Sequence, residues 1–186
     1  LRIRHYVGTI VATCSLGGLL LAFELAFLFQ SVERRQEVVR TDSGVLAAAG
    51  ELRRDVEDWL RSARVALGDP LRVKQVEAQL EPLSVRLVQL GEAPETQPSA
   101  RDFEFLRERL QWSTEGLRIS LRVEPGSALF PENLARVQKS FDASEPQIAE
   151  RLRRIEAGLQ GGLEGSAAEL DTLREELWRT IGLSAL

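Results

Sequence analysis

From Tyr6 to Phe29 the sequence reads YVGTIVATCSLGGLLLAFELAFLF, with one charge, Glu24, and no proline. At about 1.5 Å of rise per residue, a helix over this stretch is about 36 Å long, enough to cross a ~30 Å hydrocarbon core with some tilt. Beyond Gln30 the pattern changes at once: charges enter, and apolar residues fall into three- and four-residue spacing. Val45, Ala49, Leu52, Val56, Trp59, Ala63 and Ala66 follow that spacing, widened by Leu60 and Leu67. Arg53, Arg54, Asp55, Glu57, Asp58, Arg61 and Arg64 fall on the opposite, solvated side. A helix continuing from Ser31 is therefore predicted. It stops at Gly68-Asp69-Pro70, where glycine ends one helix, aspartate caps the next and proline suits its first turn.

The second helix follows from Val76, Leu80, Leu83, Leu87 and Leu90, with Pro82 predicted to kink or break it. Gly91 to Ser99, GEAPETQPS, reads as a loop. Ser99 with Asp102 reads as the cap of a third helix that buries Phe103, Leu106, Leu110, Ser113 and Leu117; Gly116 weakens its far end. A turn is predicted at Glu124-Pro125-Gly126-Ser127. Near Pro131 a fourth region begins with Leu134, Val137 and Phe141. Ser144-Glu145-Pro146-Gln147 is either a kink or a fresh capped start, after which Ile148, Leu152, Ile155 and Leu159 resume the stripe. Gly161-Gly162 is a weak point, yet Leu163, Ser166, Leu170, Leu173 and Leu177 keep the heptad register across it, so one long C-terminal helix, whole or broken, is expected.

No strand-like alternation competes, and short connections favour antiparallel neighbours. The expected fold is all-α: an N-terminal transmembrane helix followed by an antiparallel up-down four-helix bundle. The expected organisation is a short basic tail at 1–5, a transmembrane helix at 6–29 and a bundle at 30–179. Residues 180–186 have two readings, the start of a second span or a frayed apolar terminus; the first is preferred because Trp178 and Arg179 suit a membrane interface and the chain then turns apolar.

Within the span, Cys14, Gly18, Ala22 and Ala26 recur every four residues. This stripe of small side chains allows a second helix to come close. Two readings stand for Glu24: it faces protein, water or a hydrogen-bonding partner, or it snorkels into the headgroups.

Composition narrows the chemistry. Setting aside Glu24 from 28 acidic residues, and Arg2 and Arg4 from 24 basic ones, leaves 27 against 22, with both signs interleaved. No basic face builds up, so nucleic acid is not an expected partner. Cys14 is the only cysteine and His5 the only histidine, both outside the bundle region. Intrachain disulfides, histidine-dependent nucleophilic catalysis and glutamate–histidine metal motifs are therefore closed to that region. Carboxylates such as Asp55, Asp58, Glu175 and Glu176 fall on solvated faces, and Gly161-Gly162 lacks the lysine of a phosphate loop. No catalytic, metal or cofactor-binding residue is assigned, no cofactor is expected, and the chain reads as a non-enzyme.

Trp59 and Trp112, flanked by Arg61 and Arg64 and by Arg107 and Arg109, are the candidates for a ligand or partner pocket. The competing and preferred reading puts each tryptophan in the core with arginine stems over it. No methionine occurs even at position 1, which implies a start lying upstream. A cleaved signal peptide is the rival reading of the apolar stretch, but its core spans only ~7–15 residues, and Ala47-Ala48-Ala49 lies too far downstream for its cleavage site. Arg2, Arg4 and His5 before the span against Arg34, Arg35 and Arg40 after it leave orientation open by local count. A short basic tail favours a cytoplasmic N-terminus and an extracytoplasmic bundle.

The run from Ser31 to Asp69, directly after an N-terminal span, resembles the input region of bacterial sensor histidine kinases. Membrane chemoreceptors are similar in their layout of span, four-helix bundle and second span. The resemblance lies in layout rather than in a diagnostic motif. It implies a bacterial inner-membrane protein with an extracytoplasmic bundle, dimers through span and bundle, and small helix movements passed through the bilayer. This chain has no linker domain, phospho-accepting histidine helix or ATP-binding region, so no functional residue transfers. The function expected is a sensory input module; the alternative is an accessory or scaffold subunit docked on a larger membrane complex.

Overall fold

The computed structural model describes residues 2–122 and 126–184, with side chains described for 15–122 and 126–183. Four α-helices account for most of them: α1 (Arg2–Ala66), α2 (Pro70–Gly91), α3 (Ala100–Ser120) and α4 (Phe130–Ser184). A 3-10 helix, Pro94–Ser99, lies between α2 and α3. No strand occurs among the described residues. The chain divides into two compact units, Asp42–Gly162 and the pair Leu1–Thr41 with Leu163–Leu186.

The unit Asp42–Gly162 holds a single hydrophobic core. Leu52, Val56 and Trp59 of α1 meet Val73, Val76 and Leu87 of α2, Leu106, Leu110 and Leu117 of α3, and Phe141, Ile148 and Ile155 of α4. Each such side chain contributes about 1.5–3 kcal/mol by leaving water. Polar pairs show how neighbours run. On α1, Trp59 donates its ring N–H to the Val76 carbonyl at 3.0 Å, while Asp55 and Glu51 pair with Arg86. Between α1 and α4, Arg64 meets Asp142 and Glu145, and Arg53 meets Glu156 at 2.7 Å. Between α3 and α4, Asp102 pairs with Arg151, and Asn133 donates to the Ile119 carbonyl at 3.1 Å. In each case, moving up one helix moves down its partner.

The α1–α2 junction follows the sequence reading closely. Gly68 has φ of +79°, a conformation that a side chain opposes. Asp69 caps α2, its carboxylate accepting from the N–H groups of Leu71 at 3.0 Å and Arg72 at 3.3 Å, and Pro70 occupies the first turn. Asp69→Ala is expected to lower stability by about 1 kcal/mol in urea unfolding, whereas Asp69→Asn keeps most of the cap. Equal stabilities for the two variants would discount the cap.

Several expectations are corrected. Pro82 does not break α2, which runs unbroken from Pro70 to Gly91. Proline removes one helix N–H, but Pro82 and Ala78, whose carbonyl loses that bond, are both exposed, and Leu83 and Leu87 anchor the following turn in the core. The one long C-terminal helix expected from the sequence is present: α4 passes unbroken through exposed Pro146 and through Gly161-Gly162. The segment taken as a plain loop contains the 3-10 helix. Fully buried Thr96 closes it, its hydroxyl lying within bonding reach of the carbonyls of Leu90 and Ala93. Ser99 occupies the position before α3 but makes no side-chain cap, and Asp102 is engaged by Arg151. Gly116 lies inside α3, which continues to Ser120; a Cβ there would sit 3.6 Å from Val137 and 3.7 Å from Phe141, ordinary contact distances, so this position packs on α4 without requiring glycine. Glu124 and Pro125 of the expected turn lie outside the described residues.

In the other unit, residues at heptad spacing are covered. On α1 these are Leu21, Leu25, Leu28, Val32, Arg35 and Val39, all half-buried. On α4, Leu170 and Leu177 are buried, with Leu163, Ser166, Leu173 and Thr180 half-buried. A seven-residue repeat of this kind keeps one face of each helix against the other. Arg35 sits on the seam, paired with Glu169, and its Nε is buried without a partner.

Candidate membrane-facing and interhelical surfaces

The stretch expected to meet lipid is exposed. Leu16, Leu19, Leu20, Phe23, Phe27 and Phe29 stand open, Phe23 being 74% exposed. One helix among the described residues, α1, is long and apolar enough to cross a membrane. Six large apolar side chains exposed on one helix form a surface that water does not favour.

The small-residue stripe does not face α4. Gly18, Ala22 and Ala26 are exposed, and no atom lies within 4 Å of a Cβ built on Gly18. The leucine seam takes the contact with α4 instead, since larger apolar side chains bury more area there. The side chain of Cys14 lies outside the described residues. Glu24 is exposed, with no hydrogen-bond or ion-pair partner among the described residues.

The four candidate pocket residues do not converge. Trp59 is 2% exposed, in the core, with its N–H bonded to Val76. Only its edge reaches a cleft that Asp55, Asp58, Gln79, Pro82 and Arg86 also line. Arg61 and Arg64 line a different groove with Glu145 and Ile148. Trp112, expected in the core, is 54% exposed. Helix geometry explains the difference: Leu110, Ser113 and Thr114 take the buried face of α3, and Trp112 falls at its edge.

Along that edge the side chains form a ladder that sequence reading did not assemble. Phe105 lies between two guanidinium groups, Arg109 at 5.2 Å and Arg151 at 4.8 Å from the ring centroid. Arg109 also stands 5.8 Å from the Trp112 ring. Residues 102, 105, 109 and 112 step by three and four, which was the available signal; their partner Arg151 is too distant in sequence to be paired with them by spacing.

Many of the other surface arginines pair with acids. The Arg53 guanidinium is pushed above its ordinary value by its hydrogen bonds to Glu57 and then Glu156, and Arg118 is raised chiefly by its hydrogen bond to Glu77. Both stay charged at any working pH, so neither guanidinium is a pH switch. Among the described residues no three His, Cys, Asp or Glu side chains gather as metal ligands. Comparison with protein-family models, curated proteins and solved structures finds no match.

Proposed function

We propose that this protein is a non-enzymatic sensory input module: an up-down four-helix bundle anchored in a membrane by α1. In this reading, binding of a ligand or partner biases how the helices pack. The observation that supports it most is the joining, in one chain, of an exposed apolar helical surface from Leu16 to Phe29 with a closed helical core. Reversed pair order between neighbouring helices suits the up-down topology. The Arg35–Glu169 pair also sets the last turns of α4 beside the apolar part of α1, which suits a protein working at the membrane. We place the protein in a bacterial inner membrane with the bundle outside the cytoplasm, acting with lipid and with a second copy through span and bundle.

A second reading rests on Gly18, Ala22 and Ala26, whose outward face is open to a neighbouring span. In that case the protein is an accessory or scaffold subunit of a larger membrane assembly. Intact mass after isolation from native membrane in mild detergent, with identification of co-purifying chains, separates the two. A mass well above 20.7 kDa with self-association alone favours the sensor. Stoichiometric foreign partners on a chain near that mass favour the subunit and sink the sensor.

A further inference from the structure

Charge is unevenly spread along the α3–α4 edge. At one end Asp102 neutralises Arg151. At the other, a cleft of about 360 Å³ is lined by Arg109 and Trp112 of α3 and by Arg136, Lys139, Ser140 and Gln147 of α4, with Ala143 and Ser144 behind them. Three cations line it and no carboxylate does. Glu132 pairs with Arg136 at 3.3 Å. Arg109 and Lys139 have no acidic partner among the described residues, although acids outnumber bases in the whole chain.

The half-exposed Trp112 ring gives the same cleft an apolar wall, and Ser140 and Gln147 offer neutral polar groups. A groove of this volume, though open to solvent, can seat one end of a small molecule, with a few polar groups fixing its orientation. Unopposed guanidinium and ammonium groups select an anion, arginine by its planar donor fork and lysine as a point charge. An indole wall selects a flat apolar body. We infer that the cleft between α3 and α4 binds a small aromatic carboxylate, its carboxylate held between Arg109 and Lys139 and its ring against Trp112. This is a binding assignment, independent of whether the protein signals.

The test titrates 4-fluorobenzoate against the full chain in lipid nanodiscs, observed by fluorine NMR, with empty nanodiscs subtracted. The expected result is saturable binding, weakened about 10-fold or more by Arg109→Gln and by Lys139→Gln, each of which removes a charge-assisted contact. Trp112→Ala is expected to weaken it as well, and Arg64→Gln, outside the cleft, to leave it unchanged. Lys139 is exposed, so its variant keeps the fold and serves as the decisive substitution. Cyclohexanecarboxylate should bind more weakly, and inorganic phosphate should not compete. Absence of saturable binding to the wild-type chain overturns the proposal. So does binding that Lys139→Gln leaves intact, or equal competition by phosphate, which would show a site for charge alone. An acidic peptide that outcompetes the fluorobenzoate would reassign the surface to a protein partner.

Discussion

Trp59→Ala is expected to lose about 3–5 kcal/mol of stability, the usual range for deleting a large buried aromatic ring. Trp59 is almost completely enclosed, within the same core as Val56, Ala63, Val76 and Leu83, so the surrounding helices can close only part of the space its ring leaves. Its ring N–H also holds the Val76 carbonyl of the neighbouring helix. Trp59→Phe keeps most of the apolar area and forfeits chiefly that hydrogen bond, so about 1–2 kcal/mol is expected. Urea unfolding of both variants, followed by helical circular dichroism in mild detergent, makes the comparison. A loss below about 1 kcal/mol for the alanine variant would contradict the packing described for α1 and α2.

Leu19→Arg is the second large effect. Leu19 lies near the middle of the apolar stretch and is exposed, so an arginine there has no protein partner to turn to. Placing arginine near the centre of a spanning helix costs about 2.5–3.5 kcal/mol on insertion-based scales. The carbonate-resistant membrane fraction of the variant should fall sharply. Gln30→Arg, at the end of the stretch, should behave like the parent because its side chain can reach the headgroups. Unchanged retention of Leu19→Arg would remove the membrane reading altogether.

Much of the helical architecture was legible because one face of each helix repeats every three or four residues. Leu52, Val56, Leu87, Leu106, Leu110, Ile148 and Ile155 are buried where the spacing put them. Val73, three residues before Val76 on the same face of α2, is buried as well. A proline's local penalty is set against core contacts on the opposite side of the same turn, and at Pro82 and Pro146 the helix continues. The candidate site was harder to see. Spacing places Phe105, Arg109 and Trp112 on one edge of α3, but nothing local says that Lys139 and Arg136 come to face them. Trp112 was assigned to the core by residue type, and three residues of better phase occupy that face instead.

The junctions between helices differ in reach. Only three residues separate α1 from α2, turning on the left-handed Gly68, so that pair is pinned against sliding along its length. Nine residues separate α3 from α4, the longest tether among the helices. Between the two helices so joined, Arg109 stands on one wall of the cleft and Lys139 on the other. An anion gripped from both sides would act there as a wedge or a clasp, setting the axial offset of α4 against α3.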